Sequence, residues 1–122
     1  MEIHELARKM KDAPDYFPRQ KLKEESKDML DHWGKEDQLN VAMEECAELI
    51  QAISKARRYG ADHPSVYLNL VEEIGDVTII LEHLKTIYGI TQEEINKSIH
   101  VKIKRAYDKV NKDMELKNNQ TN

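Results

Sequence analysis

Gly34, Gly60 and Gly89 interrupt long stretches in which apolar residues recur every three or four positions, a spacing that fits one face of an α-helix and no strand. Only four Gly and three Pro break the 122 residues, and 34% of side chains are charged, a composition suited to long solvent-facing helices. The length favours one domain with one modest core. An all-α fold follows, with an antiparallel four-helix bundle as the economical architecture.

Ile3, Leu6, Ala7 and Met10 share a face of a marginal opening helix that ends before Pro14 and Pro18, so residues 1–18 read as an N-terminal appendage. A first long helix spans Arg19 to Trp33, with Gly34 as its stop. A second runs from Lys35 to Tyr59, with Glu36 and Asp37 at its positive end and Lys55, Arg57 and Arg58 at its negative end. Its apolar seam reads Leu39, Ala42, Cys46, Leu49, Ile53, Ala56. Pro64 suits the first position of a third helix, capped by Asp62 or His63, with the seam Leu70, Ile74, Val77, Leu81, Leu84, Tyr88. Thr91 and Glu94 have capping-box spacing and open a fourth, carrying Ile95, Ile99, Ile103, Ala106 and Val110. The helical domain is expected over residues 19–114, with 115–122 as a fraying polar tail.

The formal charge of −4 gives no overall electrostatic footprint for a nucleic-acid or anionic-membrane partner. No apolar run approaches the roughly 20 residues that cross a bilayer. Met1 to Lys11 holds Glu2 and Glu5 and lacks the apolar core of a secretory signal. Cys46 is the single cysteine, so no intrachain disulfide forms; a cytoplasmic location is expected, with Cys46 buried and inert on its seam.

Glu45 and Glu48 lie three apart on the second long helix, and Glu73 and Asp76 three apart on the third, so each pair shares one face. The row Gln38, Val41, Glu45, Glu48, Ala52 runs beside the second helix's seam, and Asn69, Glu73, Asp76, Ile80 beside the third's. Between Glu48 and Glu73 lie 24 residues, enough to finish one helix, turn near Gly60 to Pro64 and return. The two acid pairs can then face each other. Like charges at 4 Å repel by about 1 kcal/mol per pair in water and roughly 4 at an effective dielectric near 20. A divalent cation compensates this directly. An all-oxygen donor set suits Mg²⁺, with Mn²⁺ as the alternative, and Mg²⁺ commonly bridges carboxylates to substrate phosphates. Spacing alone leaves open a solvated pair of acidic faces.

The words MEECAELIQAISKA and NLVEEIGDVTIILEHL closely resemble the MazG-like nucleotide pyrophosphohydrolases of the all-α NTP pyrophosphatase superfamily. The family signature, ExxE, a gap, then ExxD, is met by Glu45, Glu48, Glu73 and Asp76, and the likeness runs from about Trp33 to Arg105. The resemblance implies a Mg²⁺-dependent enzyme that hydrolyses nucleoside triphosphates to monophosphate and pyrophosphate. It assigns those four acids as metal ligands, with one holding or deprotonating the water. Glu44 and Glu72 are neighbouring acids that the motif does not claim.

Family members carry an N-x-K-F-x-R-R-like phosphate-contacting run; here His100-Val-Lys102-Ile-Lys104-Arg105 keeps Lys102 and Arg105 and replaces the Asn with His100. Lys102 and Arg105 would neutralise phosphate charge, while Lys55, one turn beyond the acid row, is equally explained as a helix C-terminal lysine. Trp33 and Gln38 form a W-G-x-x-x-Q word similar to one in phage and prophage relatives; an indole can stack on a base and an amide can read its edge. A homodimer or homotetramer is expected, because an apolar row of Val41, Ala52, Ile80 and Ile87 flanks the acids and a second copy could cover it. Two other readings stay open: a phosphoribosyl-ATP or dUTP hydrolase, and a non-catalytic helical nucleotide-binding or interaction module.

Overall fold

The computed structural model describes residues 2–121, and all five elements in them are helices: α1 (Ile3–Met10), α2 (Arg19–Trp33), α3 (Lys35–Tyr59), α4 (Pro64–Tyr88) and α5 (Gln92–Thr121). The all-α class and the helical-bundle reading therefore hold. Two compact units divide the chain, Met1–Gly89 and Ile90–Asn122. In the first, α4 is the hub: α3, α2 and α1 all pack against it, and α2 also touches α3.

One residue separates α2 from α3. Gly34 takes φ 91° and ψ 152°, a conformation open to glycine and strained for any residue with a Cβ, and its N–H still donates to Leu30 O at 2.9 Å. The chain thus turns a corner without unwinding either helix. At the far end of the α3–α4 hairpin Gly60 closes α3 and Pro64 opens α4 with His63 in extended conformation, although no side chain caps that end. Lys35 Nζ lies 5.8 Å from the centre of the Tyr88 ring, so the first residue of α3 meets the last of α4 and the pair is antiparallel.

The face that α3 and α4 bury keeps only part of the seam expected from periodicity: Ala42 of that seam is buried and Leu39, Leu49, Leu70, Val77 and Leu84 are half-buried, while residues beside it are buried as deeply. On α3 the buried residues are Gln38, Ala42 and Ala52; on α4 they are Glu73, Ile80, Glu82 and His83. Cys46, expected in the core, is exposed, and Ile53, Ile74, Leu81 and Tyr88 are each about half exposed. The acid-bearing row faces inward because small Ala42 and Ala52 let the helices approach there. The expected partner-facing row is corrected with it: Ala52 is 1% and Ile80 3% exposed within this one chain. Part of the seam stays open to solvent: Leu39, Cys46, Leu84 and Tyr88, with Ile50 beside them, help line an open groove of about 580 Å³.

α2 is fastened to α4 by a buried pair. Ser26 is 1% and His83 2% exposed, and the Ser26 hydroxyl hydrogen-bonds His83 Nδ1. Next to it Glu82, 6% exposed, pairs with Lys85 at 2.9 Å. Burial lowers the His83 pKa, with the Glu82 charge opposing, so the ring sits there neutral.

In the second unit the expected capping box forms. Thr91 N donates to Glu94 Oε1 and Glu94 N donates to Thr91 Oγ1, each at 3.1 Å. α5 then continues through Thr121, past Met114 where fraying was expected, with Ile99, Ile103 and Val110 exposed along it.

Candidate metal centre

Glu45 lies in the middle of α3 and Glu73 and Asp76 in the middle of α4, where an interior helix position fixes the backbone on both sides. The antiparallel packing brings them together: one carboxylate oxygen from each of Glu45, Glu73 and Asp76 lies within 4.8 Å of the others. Glu48, one turn further along α3, is exposed and stands beside this trio rather than inside it, yet its charge acts on both Glu45 and Glu73. The register is regular. Asp76 acts most strongly among the neighbouring charges on Glu45, and Glu48 on Glu73, so a step up α3 matches a step down α4.

Burial and like charge dominate the electrostatics of this trio. Glu45 Oε2 and Glu73 Oε2 are both buried and have no hydrogen-bond partner. Burial pushes the Glu45 carboxyl up to about 7, and the charges of Asp76, Glu48 and Glu73 push the same way, as does the readiness of Asp76 to accept from the protonated Glu45 carboxyl. Glu73 is raised as well, first by burial and then by Glu48, Asp76 and Glu72. An orphaned buried carboxylate oxygen costs on the order of 1–3 kcal/mol or more, and two members of the trio each carry one. All donors are oxygens. Such a set fits a hard divalent ion such as Mg²⁺ or Mn²⁺ and lacks the His or Cys that zinc prefers. His83 does not complete it, since its Nδ1 is committed to Ser26.

The remaining sequence candidates are spread out. Lys55 is exposed, two turns beyond Glu48 on α3. Trp33 ends α2, 55% exposed, with its ring edge-on to His32. It precedes Lys35, which is ten residues or about 15 Å along the α3 axis from Glu45. Gln38 is 5% exposed and its amide donates to Asp37 Oδ2 at 3.2 Å. Lys102 and Arg105 are exposed and one turn apart on α5, while Lys104 between them is paired with Asp108 at 3.1 Å.

A feature that periodicity did not reveal lies on the other side of Asp76. Leu6 and Met10 of α1 and Glu72, Gly75, Asp76 and Ile79 of α4 line a cavity of about 450 Å³. The sequence signals were a glycine inside α4 and an apolar face on α1, neither of which names its partner. No helix among the described residues is long and apolar enough to cross a membrane.

No match was found among curated proteins or solved structures. A family model, that of the MazG nucleotide pyrophosphohydrolase domain, matches residues 33–111, which takes in α3, α4, all four acids and the start of α5. With the acid pairs of α3 and α4 at its centre and nearly two thirds of its length matched, this chain belongs to the MazG nucleotide pyrophosphohydrolase domain family.

Proposed function

We propose that the chain is a Mg²⁺-dependent nucleoside triphosphate pyrophosphohydrolase, converting an NTP or dNTP to the monophosphate and pyrophosphate. The single observation behind this reading is the trio Glu45, Glu73 and Asp76, with two buried carboxylate oxygens that lack any donor. These three would hold the cation, Mg²⁺ or in its place Mn²⁺, which supplies charge neutralisation and Lewis-acid polarisation of phosphoryl oxygens when bound.

Glu48 has a different part. Exposed at the edge of the trio, it can hold a water and take its proton as the water adds to phosphorus and the α–β bridging P–O bond breaks. Pyrophosphate leaves with the bridging oxygen. Lys102 and Arg105 are proposed as phosphate contacts on the strength of the basic run of α5, and Lys55 as a further cation beyond Glu48. Trp33 and Gln38 have the chemistry for base recognition, but Lys35, two residues after Trp33, stands about 15 Å along α3 from Glu45 and the Gln38 amide is buried on Asp37, so neither is assigned to the base of a substrate held by the same chain. The exposed stripe around Ile53, Ile74, Leu81 and Tyr88 supports a homodimer or homotetramer, because single chains rarely leave such a row uncovered; a cytoplasmic location is proposed from the single cysteine alone.

Pyrophosphate release measured with Mg²⁺ over ribo-, deoxyribo- and modified triphosphates, phosphoribosyl-ATP included, tests the reading. Turnover that drops at least a hundredfold in Glu48→Gln supports it. Absence of release from every substrate, together with no Mg²⁺ or Mn²⁺ binding in calorimetry, favours the non-catalytic module.

A further inference from the structure

Asp76 faces two places at once. It belongs to the acid trio on the α3 side of α4, and it lines the open cleft between α1 and α4. A volume of about 450 Å³ lies within the usual range of small-molecule sites, roughly 300–1,000 Å³. Its walls have two kinds of chemistry. Leu6, Met10 and Ile79 are apolar, whereas Glu72 is a half-buried carboxylate at the same cavity. Gly75 is its unobstructed floor: a Cβ built there meets nothing within 4 Å. Glycine inside a helix is destabilising relative to alanine, so this position forgoes helix stability and gains open space.

A nucleotide whose phosphates reach the trio needs a place for its ring close by. Trp33 does not offer it within one chain, being separated from Glu45 by ten residues or more of α3, about 15 Å. The cavity shares a residue with the trio. A flat ring pairs with apolar walls, and a carboxylate, which only accepts, selects an edge that donates. Among the common bases guanine alone presents two adjacent donors, its ring N–H and its amino group, to both oxygens of one carboxylate.

We propose that the cavity between α1 and α4 takes the nucleobase of the substrate and favours guanine-type rings. Leu6 and Met10 lie against the ring face, and Glu72 accepts from its donor edge. The short helix α1, outside the family match, is then the specificity wall of this particular chain. This rests on the pyrophosphohydrolase reading only for the orientation of the phosphates.

The test uses the full chain and the five methionine methyl signals in NMR, with Met10 assigned by Met10→Leu. Guanosine monophosphate with Mg²⁺ is expected to move the Met10 signal and leave Met43 and Met114 in place, with uridine monophosphate doing so far less. Gly75→Leu is expected to abolish that shift and to raise KM for GTP at least tenfold with a much smaller change in kcat; unchanged helical circular dichroism and Mn²⁺ binding show that it folds. Glu72→Gln is expected to cut the preference for GTP over UTP about tenfold. An unmoved Met10 signal overturns the proposal. So does base discrimination that Trp33→Ala removes and Gly75→Leu leaves intact, or a Glu72→Gln effect on ribose against deoxyribose rather than on the base. A Met10 shift without pyrophosphate release from any substrate would sink the enzymatic reading and leave the pocket standing.

Discussion

Glu45 of α3 and Asp76 of α4 meet across an antiparallel helix pair with carboxylate oxygens inside a 4.8 Å cluster, and no cationic side chain stands among its members. That relationship is unfavourable for the bare fold. It makes the chain's stability, its pH response and the metal affinity proposed for it facets of one arrangement.

Replacing Glu73 by Gln removes one buried like charge and gives the neighbouring carboxylates an amide donor. The metal-free protein is expected to gain about 1 kcal/mol, the scale of one relieved like-charge pair, while Mg²⁺-dependent turnover falls at least a hundredfold. Thermal melts in EDTA beside pyrophosphate assays check both halves; a loss of stability with retained activity would contradict the metal-ligand role.

The pH response has a definite sign. Glu45 has an ordinary value of 4.5 and is raised to about 7 in the fold, so between those values the folded chain holds a proton that the unfolded chain has released. Metal-free stability is therefore fully present below about 4.5 and declines as pH rises through 7. Denaturant melts from pH 4.5 to 8 in EDTA should show this decline, flattened in Glu45→Gln and offset by Mg²⁺ at neutral pH.

His83 works in the opposite direction. Its pKa is lowered by burial from 6.5, so the stability it contributes is present above 6.5 and is lost as pH falls below that value. Ser26→Ala leaves the buried ring without its partner and is expected to cost about 1–3 kcal/mol, read from urea midpoints at pH 7.5. The same variant leaves the acid trio untouched, so Mn²⁺ affinity should hold.

The start of α5 depends on a reciprocal pair. Thr91→Ala removes the acceptor for Glu94 N–H and part of the seat for the Glu94 carboxylate. A cost of about 1 kcal/mol is expected, seen as faster amide exchange confined to the first turn, Gln92 to Ile95.

Helix boundaries were legible because glycine and proline mark them directly: Gly34, Gly60, Pro64 and Gly89 bound α3 and α4 where periodicity placed them. The acids were legible for the same reason, since i,i+3 spacing on a helix fixes a shared face. What spacing could not decide was which stripe packs inside the chain. Ile53 and Ile74 are larger and more apolar than Ala52 and Glu73, yet it is Ala52 and Glu73 that are buried. Close approach at small residues outweighed side-chain hydrophobicity there, and Cys46 lies outside although Ala42, one turn before it on the same seam, is buried. The Ser26–His83 pair and the α1 cavity join residues distant in sequence, and no local pattern encodes such partners.

The most direct test of the central claim follows a nucleoside triphosphate by phosphorus NMR with the full chain and Mg²⁺. Signals of pyrophosphate and the nucleoside monophosphate, growing together and absent with Glu48→Gln, are the predicted result. Inorganic phosphate with the diphosphate, or no change for any triphosphate while Mg²⁺ binds, would contradict it.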